Sequence, residues 1–184
     1  MTDFPVCLRL QGRRVLVVGG GVIAEGKLHG LVAAGAVIRV VAPEVTPPIA
    51  ALVATGSVEW NARAFEASDV QGHQLVFSAT NDRSVTEVVA VAARSAGALL
   101  NAADDPEFCD FTLPSVGRRG LITVAVSTDG AAPAVAARVR RRLMEELSAG
   151  ERARARLSSV VRAHWRRGPW RTVVLRWIAR GFAS

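Results

Sequence analysis

The sequence predicts an α/β fold built on an open, mostly parallel sheet. Half of the 184 residues are apolar, aromatic residues make up only 5%, and tyrosine is absent, so the core must consist of aliphatic side chains. Short runs of Val, Leu and Ile alternate with Ala-rich stretches of helical length. Such runs are typical of strands that are buried on both faces of a sheet.

The first hundred residues alternate between predicted strands and predicted helices. Each strand is a short apolar run, and each helix is followed by a glycine, which is a common stop signal. The predicted strands cover residues 15–18, 37–42, 58–60, 75–79 and 99–102. The predicted helices cover residues 22–34, 49–54 and 84–96. Because strands and helices alternate at the spacing of βαβ units, the strands are expected to be parallel.

The pattern changes after Asp105-Pro106. The segment "FTLPSVGRRGLITVAVST" predicts two strands joined across residues 117–120, and Pro133 suits the first turn of a helix. Three helices are predicted from there on, over residues 133–147, 151–167 and 170–180. The chain is therefore expected to contain a sheet domain, a small α+β region and a helical tail, over residues 1–112, 113–148 and 149–184.

The net charge of +7 is concentrated in the tail. Residues 148–184 contain nine arginines and a single acidic residue, whereas the rest of the chain is nearly neutral. A basic tail suits nucleic acid, an anionic membrane or a polyanionic small molecule. The chain contains no nucleic-acid-binding motif, so we expect neither a nucleic-acid partner nor a membrane partner.

The sequence also predicts the compartment. It has no apolar run of about 18 residues that would span a bilayer, and its first residues do not resemble a signal peptide. Cys7 and Cys109 lie far apart and form neither a CxxC pair nor a zinc pattern, so we expect buried free thiols. We expect a cytoplasmic protein.

Three consecutive glycines stand where the first strand meets the first helix. Gly19, Gly21 and Ala24 fit the pattern Gly-x-Gly-x-x-Ala of a Rossmann-like nucleotide-binding turn. In that pattern the first glycine allows the tight turn, the second lets a pyrophosphate approach the backbone, and the small third residue lets the helix pack closely on the sheet. The alternative is a glycine turn that binds nothing.

An acidic residue is expected at the end of the second strand, where it would bind the adenosine ribose. Glu44 follows that strand, 23 residues after Gly21, and no Arg or Lys lies between residues 40 and 62. A 2′-phosphate would therefore lack a cationic partner there. The sequence favours NAD over NADP.

Short polar residues follow the fourth strand in "FSATND". Ser78, Thr80 and Asn81 are expected beside the cofactor, because the carboxyl ends of parallel strands share one edge of the sheet. The alternative is an ordinary helix cap formed by Asn81 or Asp82, and both interpretations can hold together.

A third polar stretch, "NAADDPEFCDFTLPS", follows the fifth strand. It places Asn101, Asp104 and Asp105 at the same edge, where an aspartate serves as a general base or as a cation ligand. Composition alone favours a simple turn, because Asp-Pro commonly begins turns.

Taken together, these stretches resemble the siroheme synthase N-terminal module, the precorrin-2 dehydrogenase/sirohydrochlorin ferrochelatase family. The resemblance covers roughly residues 4–147 and rests on five segments in family order: "FPVCLRLQGRRVLVVGGGVIAEGK", "AGAVIRVVAPE", "SATND", "NAADDPEFCDFTLPS" and "GLITVAVSTDGAAP". The fourth and fifth segments are specific to this family.

The resemblance implies an enzyme that oxidises precorrin-2, a tetrapyrrole with eight carboxylates, to sirohydrochlorin with NAD⁺ as hydride acceptor. Many members also insert Fe²⁺. The family's architecture implies a Rossmann domain over residues 1–112, a dimerisation region over 113–148 and a helical C-terminal region, assembled as a homodimer. We expect no methyltransferase domain that would make precorrin-2.

The resemblance also implies roles for individual residues. It places cofactor contacts at Val22, Ile23, Pro43 and Glu44, beside Gly19, Gly21, Ala24, Thr80 and Asn81. It makes Asp104 the catalytic residue and also the candidate metal ligand, with the metal left open. Candidate substrate contacts are Asn101, Ser127, Thr128 and Arg118.

Two departures from the family stand out. Ala132 occupies the place of a serine that usually precedes the helix-opening proline, and the Arg- and Trp-rich tail after residue 147 has no evident family counterpart. Two alternatives to an enzyme remain open. One is a regulatory module that binds NAD without catalysis, and the other is nucleic-acid binding by the tail.

Overall fold

The computed structural model describes residues 3–147, 149–164, 174–175 and 178–179. The chain forms two compact units, Met1–Thr112 and Leu113–Ser184. The second predicted tail helix, over residues 170–180, lies mostly outside the described residues. No helix among the described residues is long and apolar enough to cross a membrane.

The first unit is a five-stranded sheet with helices on both faces. Its strands are β1 (Arg14–Val18), β2 (Val37–Val41), β3 (Glu59–Asn61), β4 (Leu75–Ser78) and β5 (Leu99–Ala102). Its helices are α1 (Val22–Ala33), α2 (Pro47–Ala54) and α3 (Arg83–Ala96). The strand order is β3-β2-β1-β4-β5 and all neighbours are parallel, so the predicted Rossmann-like fold is confirmed.

Alternate residues of the strands build two separate core layers. Val15 and Val17 of β1 pack with Leu28 of α1 in one layer, whereas Leu16 packs with Val89 of α3 in the other. All five side chains are fully buried. Each contributes about 1.5–3 kcal/mol by leaving water, which is why the central strand β1 is apolar from Val15 to Val18.

The second unit begins with an antiparallel hairpin followed by helices. Strands β6 (Ser115–Arg119) and β7 (Ile122–Val126) pair, and α4 (Pro133–Glu146) and α5 (Ala149–His164) follow. The predicted connection across residues 117–120 is wrong, because the turn is only Gly120-Leu121, with Gly120 in the left-handed region (φ +62°). Gly117 instead lies within β6, where a Cβ would come within 3 Å of Met144.

Two further expectations need correction. The helix α5 begins at Ala149 rather than at residue 151. Cys7 is exposed instead of buried, and only Cys109 is partly buried. Cys7 belongs to an N-terminal segment that adopts no regular structure before β1.

The segment that follows β3 contains an ion pair between Arg63 and the buried Asp69. The Asp69 carboxylate accepts hydrogen bonds from both terminal nitrogens of Arg63, at 2.5 and 2.9 Å, and from the Glu66 backbone N–H at 2.9 Å. Burial of Asp69 opposes its ionised form, but these hydrogen bonds outweigh burial and hold the pKa of Asp69 below its ordinary value.

We expect Asp69→Asn to lower the free energy of unfolding by about 1–3 kcal/mol near neutral pH. Because the folded pKa is depressed, this stabilisation is present above the ordinary pKa of aspartate and is lost as pH falls through the folded pKa. Urea unfolding at several pH values measures it. In Glu59→Gln, which removes an exposed partner of Arg39, the loss should stay below about 1 kcal/mol. A difference between wild type and Asp69→Asn that persists at the acid end would contradict this explanation.

Candidate nucleotide-binding and active site

The site lies at the carboxyl edge of the parallel sheet. Since β1, β2, β4 and β5 run in the same direction, the loops that follow them meet at one edge. The glycine turn follows β1, and Glu44 follows β2. The polar stretches "FSATND" and "NAADDPEFCDFTLPS" begin at the ends of β4 and β5.

The glycine turn is fixed by its backbone. The Gly19 N–H donates to the Val41 carbonyl at 2.9 Å, and the Thr46 N–H donates to the Gly20 carbonyl at 3.0 Å. Gly19 has φ +110°, and a Cβ there would lie within 3 Å of the Ala79 carbonyl oxygen. A Cβ at Gly20 would overlap the Glu44 carbonyl oxygen. Gly20, which the sequence pattern did not single out, is therefore required by contact with the loop after β2.

Gly21 differs from its two neighbours, because a Cβ there would meet nothing within 4 Å. Gly21 is also the N-cap of α1, and no side chain caps that end of the helix. The first backbone N–H groups of α1 therefore have no intrahelical acceptor and carry a partial positive charge. Open space beside bare amides fits a diphosphate, so these residues suit a dinucleotide.

The other predicted cofactor residues surround this turn. Val22 is 76% exposed at the start of α1, Ile23 is partly buried against the core, and Ala24 is fully buried where α1 meets the sheet. Pro43 and Glu44 are both exposed in the loop after β2.

The arginines nearest to Glu44 in sequence are already paired. Arg39 of β2 forms an ion pair with Glu59 at 3.2 Å, and Arg63 binds Asp69. Each guanidinium group already faces a carboxylate, which is consistent with the preference for NAD that the sequence predicts.

The polar residues predicted at the end of β4 have three different environments. Ser78 is buried and hydrogen-bonds Thr86 of α3 at 3.0 Å, so the expectation that it lies beside a cofactor is wrong. The Thr80 hydroxyl accepts the Asp82 N–H at 3.1 Å. Asp82 caps α3 by accepting the Ser84 N–H at 2.9 Å. Asn81 is exposed and takes no part in this cap, which leaves its amide available at the edge.

The loop after β5 presents the candidate catalytic acid. Asp104 is exposed and has φ +63°, which lies in the left-handed region. Few residues other than glycine adopt this region, and aspartate and asparagine are among those that tolerate it best. Asp105 follows it and begins a short 3-10 turn, Pro106–Phe108. Both the turn and the exposed acid that the sequence left as alternatives are therefore present in the same loop.

Arg83, at the start of α3, holds this loop in place. Its guanidinium donates to the Asp105 carboxylate at 2.9 Å and to the Glu107 carboxylate at 2.5 Å. Its Cζ also lies 5.3 Å from the centre of the Phe108 ring. These contacts fix three residues on the carboxyl side of Asp104.

We expect Arg83→Met to loosen the loop without unfolding the protein. Exposed ion pairs and a cation–π contact contribute about 1 kcal/mol together, so amide hydrogen exchange at Phe108 and Cys109 should accelerate about fivefold. Arg94→Met, which removes a charge from the opposite end of α3, is the control. Unchanged exchange at Phe108 and Cys109 would show that Arg83 does not hold the loop.

One charged side chain beside this edge has no counterpart among the residues that the sequence predicts for the site. Lys27 of α1 donates a hydrogen bond from Nζ to the Oδ1 atom of Asn101, at 2.9 Å, and its Nζ lies 5.4 Å from the centre of the Phe77 ring. Burial lowers the pKa of Lys27, while the nearby Cys109 and Asp104 act in the opposite direction. One signal was available, because Lys27 is the only lysine among 23 basic residues.

Asn101 lies inside β5 rather than after it, and its side chain is buried. Its Nδ2 donates to the Phe111 carbonyl at 2.9 Å and to Cys109 Sγ at 3.7 Å. Burial raises the pKa of the Cys109 thiol, whose sulfur also contacts the Ala102 backbone. Asn101 therefore shapes the site through Lys27 and the loop, and its amide has few hydrogen-bonding atoms left for a substrate.

The remaining predicted substrate residues belong to the second unit. Ser127 Oγ accepts the Asp129 N–H at 3.1 Å, and Thr128 Oγ1 accepts the Ala132 N–H at 3.0 Å. Ala132 is the N-cap of α4 and supplies no side-chain cap. Arg118 is exposed on β6.

The described part of the chain contains no cluster of side chains that could hold a metal ion. Within residues 3–147, 149–164 and the short described stretches beyond, no three His, Cys, Asp or Glu side chains are grouped as a metal site. Asp104 as a metal ligand stays a prediction.

Comparison with known proteins agrees with this architecture. Residues 6–115 match a putative NAD(P)-binding family, and residues 119–145 match the central region of sirohaem biosynthesis proteins. Siroheme synthase from Nitrosomonas eutropha is 42% identical over 144 residues, which are 78% of this chain and 30% of that protein. Siroheme synthase from Gluconacetobacter diazotrophicus is 41% identical over 165 residues, 88% of this chain and 35% of that protein.

The solved structure of SirC, a precorrin-2 dehydrogenase, is similar over almost the whole chain. It superimposes with a TM-score of 0.77 at 30% sequence identity, covering 91% of this chain and 82% of SirC. The chain thus spans about a third of the curated siroheme synthases that it matches but most of SirC. The chain belongs to the siroheme synthase N-terminal module family.

Proposed function

We propose that the chain catalyses the NAD-dependent dehydrogenation of precorrin-2 to sirohydrochlorin. The observation that carries this proposal is that the fold brings the uncapped glycine turn at Gly21 and the exposed carboxylate of Asp104 to one edge of the sheet. The similarity to SirC over 82% of that protein supports the choice of substrate.

The chemistry requires an acceptor for a hydride and an acceptor for a proton. NAD⁺ supplies the first when it is bound, and the residues of the glycine turn and the exposed Glu44 would hold it. Asp104 supplies the second, because an exposed carboxylate on a loop held by Arg83 can take a proton that leaves the macrocycle. Thr80 and Asn81 would line the same edge beside the cofactor.

The experiment supplies the purified chain with precorrin-2 and NAD⁺ under anaerobic conditions. We expect NADH and sirohydrochlorin to appear in equal amounts, each followed by its absorbance. NADP⁺ should support a much lower rate, since Arg39 and Arg63, the arginines nearest to Glu44 in sequence, each pair with a carboxylate instead of facing a 2′-phosphate. NAD⁺ binding without NADH formation from precorrin-2 would overturn the proposal and favour a regulatory module that senses the nucleotide.

We propose two further properties of this chain, Fe²⁺ insertion and dimerisation. Fe²⁺ insertion into sirohydrochlorin, with Asp104 accepting pyrrole protons, is tested by adding Fe²⁺ as substrate and following the absorbance of siroheme.

A homodimer formed through the second unit is supported by Val116 and Leu121 of the hairpin, which are 46% and 61% exposed. Sedimentation at micromolar concentration tests it, and a monomer there would contradict it.

A further inference from the structure

Lys27 is a half-buried cation without a carboxylate partner among the described residues. Its Nζ makes one described hydrogen bond, to Asn101 Oδ1, and no described ion pair. An ammonium group has three N–H donors, so two of them are left without an acceptor in the described part of the chain. A cation that has lost part of its hydration needs compensation from a nearby anion or acceptor.

The position of this ammonium group is fixed by Asn101. The Asn101 amide nitrogen donates to the Phe111 carbonyl and contacts Cys109 Sγ, so its oxygen must face Lys27. Asn101 is 7% exposed and cannot reorient without breaking these bonds. The Phe77 ring lies against the ammonium group on another side. The cation is therefore held next to the end of β5 before any ligand binds.

The surroundings of Lys27 call for a negative ligand. Burial is the main influence on the pKa of Lys27 and disfavours its charged form, while Cys109 and Asp104 only partly compensate. Arg83, the arginine that faces the same loop, is already paired with Asp105 and Glu107. In this unit, Lys27 is thus the cation beside the Asp104 loop that retains unused donors in the described structure.

We propose that Lys27 binds a carboxylate of the tetrapyrrole substrate and so places the macrocycle beside Asp104. The identity of the substrate in this inference rests on the proposed function. The carboxylate supplies the missing acceptors of the ammonium group, and the ion pair forms in a partly dehydrated place where charge-assisted hydrogen bonds are strong. A lysine suits this place because its compact ammonium group fits between Asn101 and the Phe77 ring.

Lys27 can be observed directly, because it is the only lysine in the chain. Protein labelled with ¹³C,¹⁵N-lysine gives one set of side-chain NMR signals. We expect these signals to shift when an octacarboxylate porphyrin is added, and to stay in place with a porphyrin of the same ring that carries N-methylpyridinium groups instead of carboxylates. An octacarboxylate porphyrin that binds while the Lys27 signals stay unmoved would overturn the inference.

Affinity provides the second measurement. Lys27→Met should weaken binding of the octacarboxylate porphyrin about tenfold, the loss of one charge-assisted contact, whereas Arg94→Met should leave it unchanged. Lys27→Arg, which keeps the charge, should bind more tightly than Lys27→Met. Equal affinity of Lys27→Met and wild type would contradict the inference, and NAD⁺ affinity and thermal unfolding show whether the variant is folded.

These outcomes are separate from those of the proposed function. If wild type makes no NADH from precorrin-2, the function fails, while the NMR signals of Lys27 still report whether it binds a polycarboxylate. If Lys27 signals move with NAD⁺ and not with the octacarboxylate porphyrin, Lys27 belongs to the cofactor site and the inference is wrong. A wild-type protein that turns over precorrin-2 while Lys27→Met keeps its KM would also overturn it.

Discussion

Asp104→Asn is expected to reduce dehydrogenation of precorrin-2 by about 10²–10⁴-fold while leaving the fold and NAD⁺ affinity intact. This is the range over which a positioned general base accelerates a reaction. Asparagine is the right replacement because Asp104 has φ +63°, and asparagine tolerates the left-handed region about as well as aspartate does. Alanine there would add backbone strain to the loss of the carboxylate and confuse the two effects.

The neighbouring carboxylate provides the control. Asp105→Asn removes an acid from the same loop but leaves Arg83 paired with Glu107, so we expect less than about a fivefold loss of activity. Initial rates with NAD⁺, together with NAD⁺ affinity by calorimetry, distinguish the two variants. Normal turnover by Asp104→Asn, or an equal loss in both variants, would remove Asp104 from its proposed role.

The fold was largely predictable because buried parallel strands appear in the sequence as short apolar runs. A strand buried on both faces is apolar at almost every position, so "VLVV" and "LVF" indicate strands whichever way their side chains point. The helix ends followed from Gly97, which adopts the left-handed conformation after α3. The hairpin connection was misplaced because the sequence does not distinguish a turn glycine such as Gly120 from a packing glycine such as Gly117.

The site was predictable only where a residue acts through its local backbone. The glycine turn and the Asp104 loop are continuous stretches, and their position at strand ends follows from the topology. Lys27 acts through Asn101, which is 74 residues away in sequence, and nothing in the residues around Lys27 signals that contact. Ser78 was misassigned for a different reason, since it lies at the end of the buried strand β4 and its hydroxyl group hydrogen-bonds Thr86 of α3.

The glycine turn gives the second large effect, because its glycines are needed for different reasons. Gly19→Ala places a Cβ against the Ala79 carbonyl at φ +110°, which should lower the free energy of unfolding by about 2–4 kcal/mol. Gly21→Ala meets no protein atom within 4 Å, so its unfolding free energy should change by less than about 1 kcal/mol. Its methyl group would instead occupy the space that a diphosphate needs.

We therefore expect Gly21→Ala to lose affinity for NAD⁺ by at least about tenfold, or ~1.4 kcal/mol, at nearly normal stability. Urea unfolding and calorimetric titration with NAD⁺ measure the two quantities on the same preparations. Gly26→Ala, in the middle of α1 and with nothing within 4 Å of its Cβ, is the matched control and should keep wild-type affinity. Because Gly21 contributes no side chain and no packing to the protein, a Gly21→Ala variant that bound NAD⁺ normally would mean that the diphosphate lies elsewhere, and the assignment of this edge as the cofactor site would fall with it.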